Sequence, residues 1–235
     1  MSKIGPIQPA IPMPIHRFSR LSPTAFLLIW KIEESIEGLL AQLDPLLAQE
    51  VHTASIITAP ERMRQSVAAR LALEQLLKLL GIPLSPLAKQ ASGRPILTGS
   101  PNVHLSFSHT PYAAAVAIST AFPIGMDIEQ IQPKLGRIQE RVLTPQERKH
   151  TQGSLERLSV YWCAKEALYK CLGGPPNFTW QQGCLEAFEL RLEGTVVMHW
   201  QGQTYEMHYQ KLTDVLGIGP HMQVYVEDKH YTKVK

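Results

Sequence analysis

Two acidic residues, separated by one residue, lie in the segment Gly125-Met126-Asp127-Ile128-Glu129. Side chains alternate between the two faces of a β-strand, so Asp127 and Glu129 are predicted to project from the same face. Neighbouring carboxylates repel each other and are costly unless a cation or a basic group neutralises them. Such oxygen ligands suit Mg²⁺, which takes one or two carboxylates together with phosphate oxygens and water. The pair predicts a magnesium site; an edge strand with a solvated acidic face is the alternative.

A second group of reactive side chains lies in residues 162–170, WCAKEALYK. If this segment is helical, Trp162, Glu166 and Lys170 stand four positions apart and share one face. In a functional site, Glu166 would point at a bound metal and substrate, and Lys170 at a phosphate. A glutamate followed four residues later by a lysine is also a common surface ion pair, which is the alternative.

Two shorter motifs fall in predicted turns. Residues 106–109, SFSH, end in His109, which can donate a hydrogen bond to a pyrophosphate oxygen. The loop motif Gly93-Arg94-Pro95 offers a guanidinium that can bind phosphate through two hydrogen bonds. A satisfied turn histidine and a solvated loop arginine are the alternatives. The glycine-rich phosphate motif G-x-x-x-x-G-K-[ST] is absent from the sequence.

The elements that must position these residues follow from the hydrophobic pattern. An amphipathic helix is predicted over 59–80, ended by Gly81, and a second long helix over 154–172. Thr144 and Glu147 predict a capping box. The first 20 residues, which contain four prolines, are predicted to form an extended arm. Strands are predicted over 24–32, 103–107, 112–119, 122–131, 185–192, 195–200, 204–210 and 222–226.

Composition excludes several classes of protein. Hydrophobic residues make up 44% of the 235 residues, enough for a packed core. The net charge of +3 is too small to indicate nucleic-acid binding. Three cysteines without C-x-x-C spacing argue against a disulfide framework and structural zinc. No apolar run approaches the ~20 residues of a membrane span, so we expect a cytoplasmic protein without membrane association.

Taken in order, the four motifs resemble the signature of the Sfp-type 4′-phosphopantetheinyl transferases. That family reads G-[RK]-P, S-H-[ST], G-[IV]-D-[IVL]-E and W-[ST]-x-K-E-A-x-x-K. The chain matches all four blocks between Gly93 and Lys170. Two positions depart from the pattern: Met126 replaces a β-branched residue, and Cys163 replaces a serine or threonine and so removes a hydroxyl.

The resemblance implies a fold, a reaction and a site. The fold is α+β, with two similar pseudo-symmetric halves, 1–121 and 122–235, and the ligand site between them. The reaction transfers the phosphopantetheine arm of coenzyme A to a serine of an apo carrier protein of the acyl, polyketide or peptidyl type, giving adenosine 3′,5′-bisphosphate. The metal ligands carried over are Asp127, Glu129 and Glu166.

The other roles implied by the resemblance concern catalysis and coenzyme A. Glu166 and Lys170 are the candidate catalytic residues, and Mg²⁺ is the expected cofactor. A monomer is expected, with carrier protein and coenzyme A as its partners. The residues expected to bind coenzyme A are Arg62, Ser66, Arg94, Ser108, His109, Lys165 and Lys170.

Two other functions remain open from the residues. One is a Mg²⁺-dependent nucleotide phosphodiesterase, which would deliver water instead of a serine to the same acidic group. The other is a non-catalytic module that binds coenzyme A or carrier proteins. The basic residues that follow the acidic strand are either a docking surface for acidic carrier proteins or a solvated segment: Arg137, Arg141, Arg148 and Lys149.

Overall fold

The computed structural model describes residues 15–53, 59–90, 92–213, 217 and 219–231. The proline-rich part of the predicted arm, residues 1–14, lies outside the described residues. The helices are α1 (Ile36–Leu40), α2 (Pro45–Thr53), α3 (Pro60–Leu80), α4 (Gln139–Val142), α5 (Pro145–Thr151) and α6 (Leu155–Cys171), with a 3₁₀ helix over Pro133–Ile138. The strands are β1 (Ile15–Arg20), β2 (Ala25–Lys31), β3 (Leu87–Lys89), β4 (Pro95–Leu97), β5 (His104–His109), β6 (Ala113–Ser119), β7 (Ile124–Gln130), β8 (Cys184–Leu185), β9 (Glu193–Trp200), β10 (Gln203–Leu212) and β11 (His221–Glu227).

These strands form two antiparallel sheets. The N-terminal sheet has the order β1-β2-β6-β5-β4-β3, and the C-terminal sheet has the order β7-β11-β10-β9-β8. Helices and antiparallel strands together make the protein α+β, as the sequence predicts. No helix in the described parts of the chain is long and apolar enough to cross a membrane.

Helix α3 covers one face of the N-terminal sheet. Its apolar stripe includes Leu73 and Leu76, which are fully buried in the same core as Leu28 and Val116 of the sheet. Pro60 occupies the first turn, where a missing N–H costs nothing. Gly81 ends the helix in the left-handed conformation, with φ of 65°, which favours glycine. The predicted helix is thereby confirmed.

Helix α6 packs on the C-terminal sheet and lies against β7 at Gly125. A Cβ at Gly125 would lie 1.8 Å from the carbonyl oxygen of Ala167 and 2.6 Å from the amide nitrogen of Cys171, both backbone atoms. A side chain at this position would therefore force the helix away from the strand. The glycine lets α6 approach β7 closely, which brings residues of the helix over the acidic strand.

The two sheets pack face to face through small and aliphatic side chains. Alanines at alternate positions of β6, such as Ala115 and Ala117, meet Met126 and Ile128 of β7 in one buried cluster. The serines of β5 join the sheets at their edge. Ser106 Oγ accepts a hydrogen bond of 2.9 Å from the Met126 amide, and Ser108 Oγ accepts one of 3.2 Å from the Ile128 amide. These hydroxyls bond the edge of β7 that pairs with none of the described strands.

Some predicted elements are corrected by the structure. A strand over 185–192 is wrong, because β8 ends at Leu185. The apolar residues that suggested a strand, Phe188 and Leu190, instead pack against the C-terminal core from an irregular segment. The last six residues of the predicted arm form β1, which pairs with β2. The capping box of Thr144 and Glu147 is confirmed.

Candidate active site

The centre of the candidate site is an ion pair between β7 and α6. Lys170 Nζ lies 2.7 Å from Asp127 Oδ1, and it also donates a hydrogen bond of 3.3 Å to the Met126 carbonyl. Ser108 of β5 donates a hydrogen bond of 2.6 Å to the same Asp127 oxygen. Asp127 is 5% exposed. Residues from both sheets and from α6 therefore fix the orientation of this carboxylate.

Two further carboxylates are close enough to influence Asp127 electrostatically. Burial raises the pKa of Glu166 to about 7, and the charges of Asp127 and Glu129 add to the effect while Lys170 opposes it. Burial likewise raises the pKa of Glu129. The Lys134 ammonium, 3.7 Å from Glu129 Oε1, lowers this pKa, and the charge of Asp127 raises it. The structure thus brings Asp127, Glu129 and Glu166 into one electrostatic group.

This acidic group is the place to test for a divalent cation. In the described part of the chain, no three or more His, Cys, Asp and Glu side chains are arranged to hold a metal ion. The chemistry of the group nevertheless fits a hard cation. The charge of Asp127 helps to raise the pKa of both Glu129 and Glu166, and Glu166 has no ion-pair partner among the described residues. A dication would remove this repulsion, since oxygen donors are the ligands that Mg²⁺ prefers.

Basic side chains surround the acidic group on the side of the N-terminal sheet. His109, at the end of β5, retains solvent exposure. Partial burial of its imidazole and the charge of Lys170 lower its pKa, Asp127 raises it, and Arg62 adds a smaller lowering effect. Because Arg62 lies in the first turn of α3, four elements contribute to the site: α3, β5, β7 and α6. The imidazole is neutral at neutral pH, when its N–H can still donate a hydrogen bond.

Three other residues expected to bind coenzyme A have partners within the protein. Ser66 Oγ accepts a hydrogen bond of 2.6 Å from the Arg70 guanidinium. The Arg94 guanidinium donates to the Cys171 carbonyl and so caps the end of α6. Lys165 is fully buried on another face of α6. These contacts leave the three roles in ligand binding as predictions.

The surroundings of Lys165 form a separate buried network that sequence reasoning missed. Its ammonium lies 3.0 Å from Glu147 Oε2, 2.8 Å from the Trp180 carbonyl oxygen and 2.5 Å from the Gly183 carbonyl oxygen. These contacts use all three ammonium hydrogens. The capping box identified Glu147 as a structural residue, but no feature of the sequence connected it with Lys165.

The two departures from the family pattern are both buried. Met126 packs in the buried cluster between the sheets, where an unbranched methionine side chain fills the space of the usual β-branched residue. Cys163 lies on the side of α6 that faces β7, and its thiol approaches the Met222 carbonyl at 3.6 Å. Burial and the charges of Asp127 and Glu129 raise the pKa of this thiol well above its usual range. The thiol is therefore protonated beneath the acidic group.

One family of known proteins matches the part of the chain that carries the acidic group. The model of the 4′-phosphopantetheinyl transferase superfamily matches residues 123–214. The matched segment begins just before β7 and includes the acidic group and Lys170. Arg62, Arg94, Ser108 and His109 lie outside it. A search of curated proteins found no match. The match supports phosphopantetheinyl transfer in general terms.

Proposed function

We propose that this chain is a Mg²⁺-dependent 4′-phosphopantetheinyl transferase of the Sfp type. It would transfer the phosphopantetheine arm of coenzyme A to a serine of an apo carrier protein. The observation that carries this proposal is the partly buried Asp127–Lys170 ion pair, which joins β7 to α6 beside the carboxylates of Glu129 and Glu166. A carboxylate beside the reacting groups is suited to accept a proton.

In the proposed reaction, the serine oxygen of the carrier protein bonds to the β-phosphorus of coenzyme A. The bond from that phosphorus to the bridging oxygen breaks, and adenosine 3′,5′-bisphosphate leaves. Glu166 accepts the proton of the serine hydroxyl. The serine must also be aligned with the bond that breaks, a task for the side chains that α3, β5, β7 and α6 contribute to the site.

The charge of the pyrophosphate is the second requirement. Lys170 and His109 would donate hydrogen bonds to its non-bridging oxygens, and Arg62 would add positive charge at the edge of the site. Asp127, Glu129 and Glu166 are the residues that would hold Mg²⁺, which when bound stabilises the charge of the pyrophosphate. Ser108 would keep Asp127 oriented for this task through its 2.6 Å hydrogen bond.

Three finer statements belong to the same proposal. The sheet formed between residues 15 and 119 and the sheet formed between residues 124 and 227, each with one long helix on its outer face, would be the pseudo-symmetric halves. The division at residues 121 and 122 and the monomeric state stay predictions. A cytoplasmic location also stays a prediction.

The test is intact-mass analysis of apo carrier proteins of the acyl, polyketide and peptidyl types, incubated with the protein, coenzyme A and Mg²⁺. We expect one carrier type to gain the mass of one phosphopantetheine arm, and EDTA to abolish the gain. Glu166→Gln should abolish it too. Glu140→Gln is the matched control, because Glu140 is an exposed glutamate outside the site.

The remaining outcomes separate the alternatives. Hydrolysis of coenzyme A without any carrier protein would replace the proposal with a nucleotide phosphodiesterase. Tight binding of coenzyme A without modification of any carrier type would favour a binding module. Modification that proceeds equally well in Glu166→Gln would overturn the assignment of the proton acceptor.

A further inference from the structure

A second polar cleft lies between the sheets, apart from the acidic group. It has a volume of about 380 Å³ and is bounded by β1 on one side and by β9, β10 and β11 on the other. Three residues of β1 line it: Arg17, Ser19 and Arg20. Arg17 and Ser19 pair with Ile29 and Leu27 and so share the face that meets the C-terminal sheet. The volume falls in the range of pockets for small molecules.

The clearest sign that this cleft binds a ligand is Gln223. Its side chain lines the cleft at the centre of β11 and is 3% exposed. Among the described residues, its buried Oε1 atom has no hydrogen-bond partner. A buried polar atom without a partner destabilises a protein, and most positions of this kind are satisfied. The carboxamide is therefore available for a ligand that supplies a donor, and its Nε2 group can serve an acceptor.

Arg17 supplies positive charge on the opposite wall of the cleft. Its Nε donates a hydrogen bond of 2.8 Å to Ser19 Oγ, which fixes the plane of the guanidinium. The terminal nitrogens have no partner within the described ranges of the chain. A guanidinium held in this way is suited to bind phosphate through two hydrogen bonds.

Two aromatic rings complete the wall formed by the C-terminal sheet. His208 stacks on Tyr225, with ring centroids 5.0 Å apart and an angle of 22° between the planes. The Tyr225 hydroxyl donates a hydrogen bond of 2.9 Å to the Leu21 carbonyl, so the phenol is held in place. Flat rings of this kind provide a surface against which a planar base can pack.

We propose that this cleft binds an adenine nucleotide, with the phosphate on Arg17 and the base edge on the Gln223 carboxamide. The 6-amino group of adenine donates to Oε1, and N7 accepts from Nε2, which is the paired arrangement that glutamine makes with adenine. The rings of His208 and Tyr225 lie beside the base. The site is separate from the proposed coenzyme A site, because it lies on the opposite face of the C-terminal sheet from Asp127.

The proposal also predicts a conflict between stability and binding at Gln223. Gln223→Leu replaces an unsatisfied amide by an apolar side chain of similar size. In the absence of nucleotide, the melting temperature should rise by about 2–4 °C. The same substitution should remove the partner of the base. A residue selected only for packing would not show this opposition.

The experiment is a titration with AMP monitored by the imidazole resonance of His208 in NMR spectra. The protein has nine histidines, and a His208→Asn variant assigns the signal. The titration contains EDTA and no coenzyme A, because coenzyme A carries an adenine nucleotide of its own and would compete with AMP for the cleft. Purine riboside 5′-monophosphate, which lacks the 6-amino group, is the matched probe for the contact with Oε1. Inorganic phosphate is the probe for Arg17 alone.

We expect AMP to shift the His208 signal saturably, and Arg17→Met and Gln223→Leu to weaken binding at least tenfold. Arg191→Met is the control, since Arg191 is an exposed arginine outside the lining of the cleft and its guanidinium pairs with Glu189. Purine riboside monophosphate should also bind at least tenfold more weakly than AMP.

Four results would overturn the proposal. The first is no saturable shift of the His208 signal with AMP. The second is equal affinity for AMP and inorganic phosphate, which would leave a simple anion site. The third is unchanged binding in Gln223→Leu. The fourth is an equal loss in Arg17→Met and Arg191→Met, which would indicate general charge attraction.

Discussion

Helix α6 carries two lysine–carboxylate ion pairs that differ in their surroundings. The Lys165–Glu147 pair is dry, with 0% and 3% side-chain exposure, and every ammonium hydrogen has a partner. The Lys170–Asp127 pair is wetter, with 25% and 7% exposure, and two more carboxylates act on it. One cation opposes one anion in the first pair, whereas negative charge is in excess in the second.

This difference separates a structural ion pair from a reactive one. Balanced charge with complete hydrogen bonding fixes α5, α6 and the segment before β8 relative to one another, and it leaves no group free for a ligand. Excess negative charge raises pKa values and can be relieved by a cation or a proton. Residues five positions apart on one helix therefore have different tasks because their environments differ.

The largest predicted effect comes from breaking the dry pair. Lys165→Met should lower the free energy of unfolding by about 3–5 kcal/mol, because Glu147 would remain buried without its cation. Lys170→Met should lower it by a smaller amount, about 1–2 kcal/mol, because Asp127 keeps the hydrogen bond from Ser108. Urea denaturation monitored by circular dichroism measures both. Lys211→Met, which removes a more exposed pair with Glu156 on the same helix, is the control, with an expected loss below about 1 kcal/mol. Equal losses in Lys165→Met and Lys170→Met would contradict the comparison.

The second effect is a loss of activity when the Lys170–Asp127 pair is broken. Asp127→Asn should reduce the turnover of carrier-protein modification about 100-fold, because it removes a proposed Mg²⁺ ligand and the carboxylate that pairs with Lys170. Its free energy of unfolding should stay within about 1 kcal/mol of the wild type. Steady-state kinetics with coenzyme A and carrier protein provide the measurement. Near-native turnover of Asp127→Asn at saturating Mg²⁺ would exclude the proposed role.

The third effect is a dependence of stability on pH in Mg²⁺-free buffer. The folded protein binds a proton at Glu166 more tightly than the unfolded chain, because the pKa is raised from 4.5 to about 7. Stability attributable to this group therefore falls as pH rises from 4.5 to about 7. The free energy of unfolding of Glu166→Gln should exceed that of the wild type by about 1–2 kcal/mol at about pH 8. The two values should be equal at about pH 4.5.

Denaturation curves of wild type and Glu166→Gln across this pH range test the prediction. Asp127→Asn provides a further check, because removing its charge should lower the pKa of Glu166 in NMR titrations of the carboxyl group. A stability difference that does not vary with pH would show that Glu166 titrates normally.

The smallest effect compares the two serines of β5. Ser106→Ala and Ser108→Ala should each cost about 1–2 kcal/mol of stability, since both remove a hydrogen bond to the backbone of β7. Ser108→Ala should in addition lower turnover about tenfold, because this hydroxyl also donates to Asp127. The ratio of the two turnover values isolates the contact with the carboxylate. Equal turnover in both variants would reduce Ser108 to a structural role.

Much of the fold was predictable from the sequence. Helix α3 has an apolar stripe, and both α3 and α6 have end signals, so their bounds agree with the prediction to within about one residue. Most strands were predicted from their runs of apolar and β-branched residues. The error at 185–192 arose because apolar residues of an irregular segment can alternate while packing on a core without hydrogen-bonding to a strand.

The candidate site was predictable only in part. The spacing of Asp127 and Glu129 placed both carboxylates on one face, and helical spacing placed Glu166 and Lys170 together. The different environments of Lys165 and Lys170 could not be predicted, although both residues lie in the same motif. The two lysines differ in burial and in ion-pair partner, and both properties depend on tertiary packing, which the local sequence does not determine.

The sequence by itself determined the types of elements, the acidic and basic motifs and the resemblance that connects them. These follow from local periodicity and spacing, which depend on neighbours along the chain. Only the tertiary structure decided which charges are balanced: that Lys165 neutralises Glu147, that Lys170 meets Asp127, and that Glu166 has no paired cation among the described residues. Burial and contacts between distant segments set these energies, because electrostatic interactions depend on distance and on the exclusion of water.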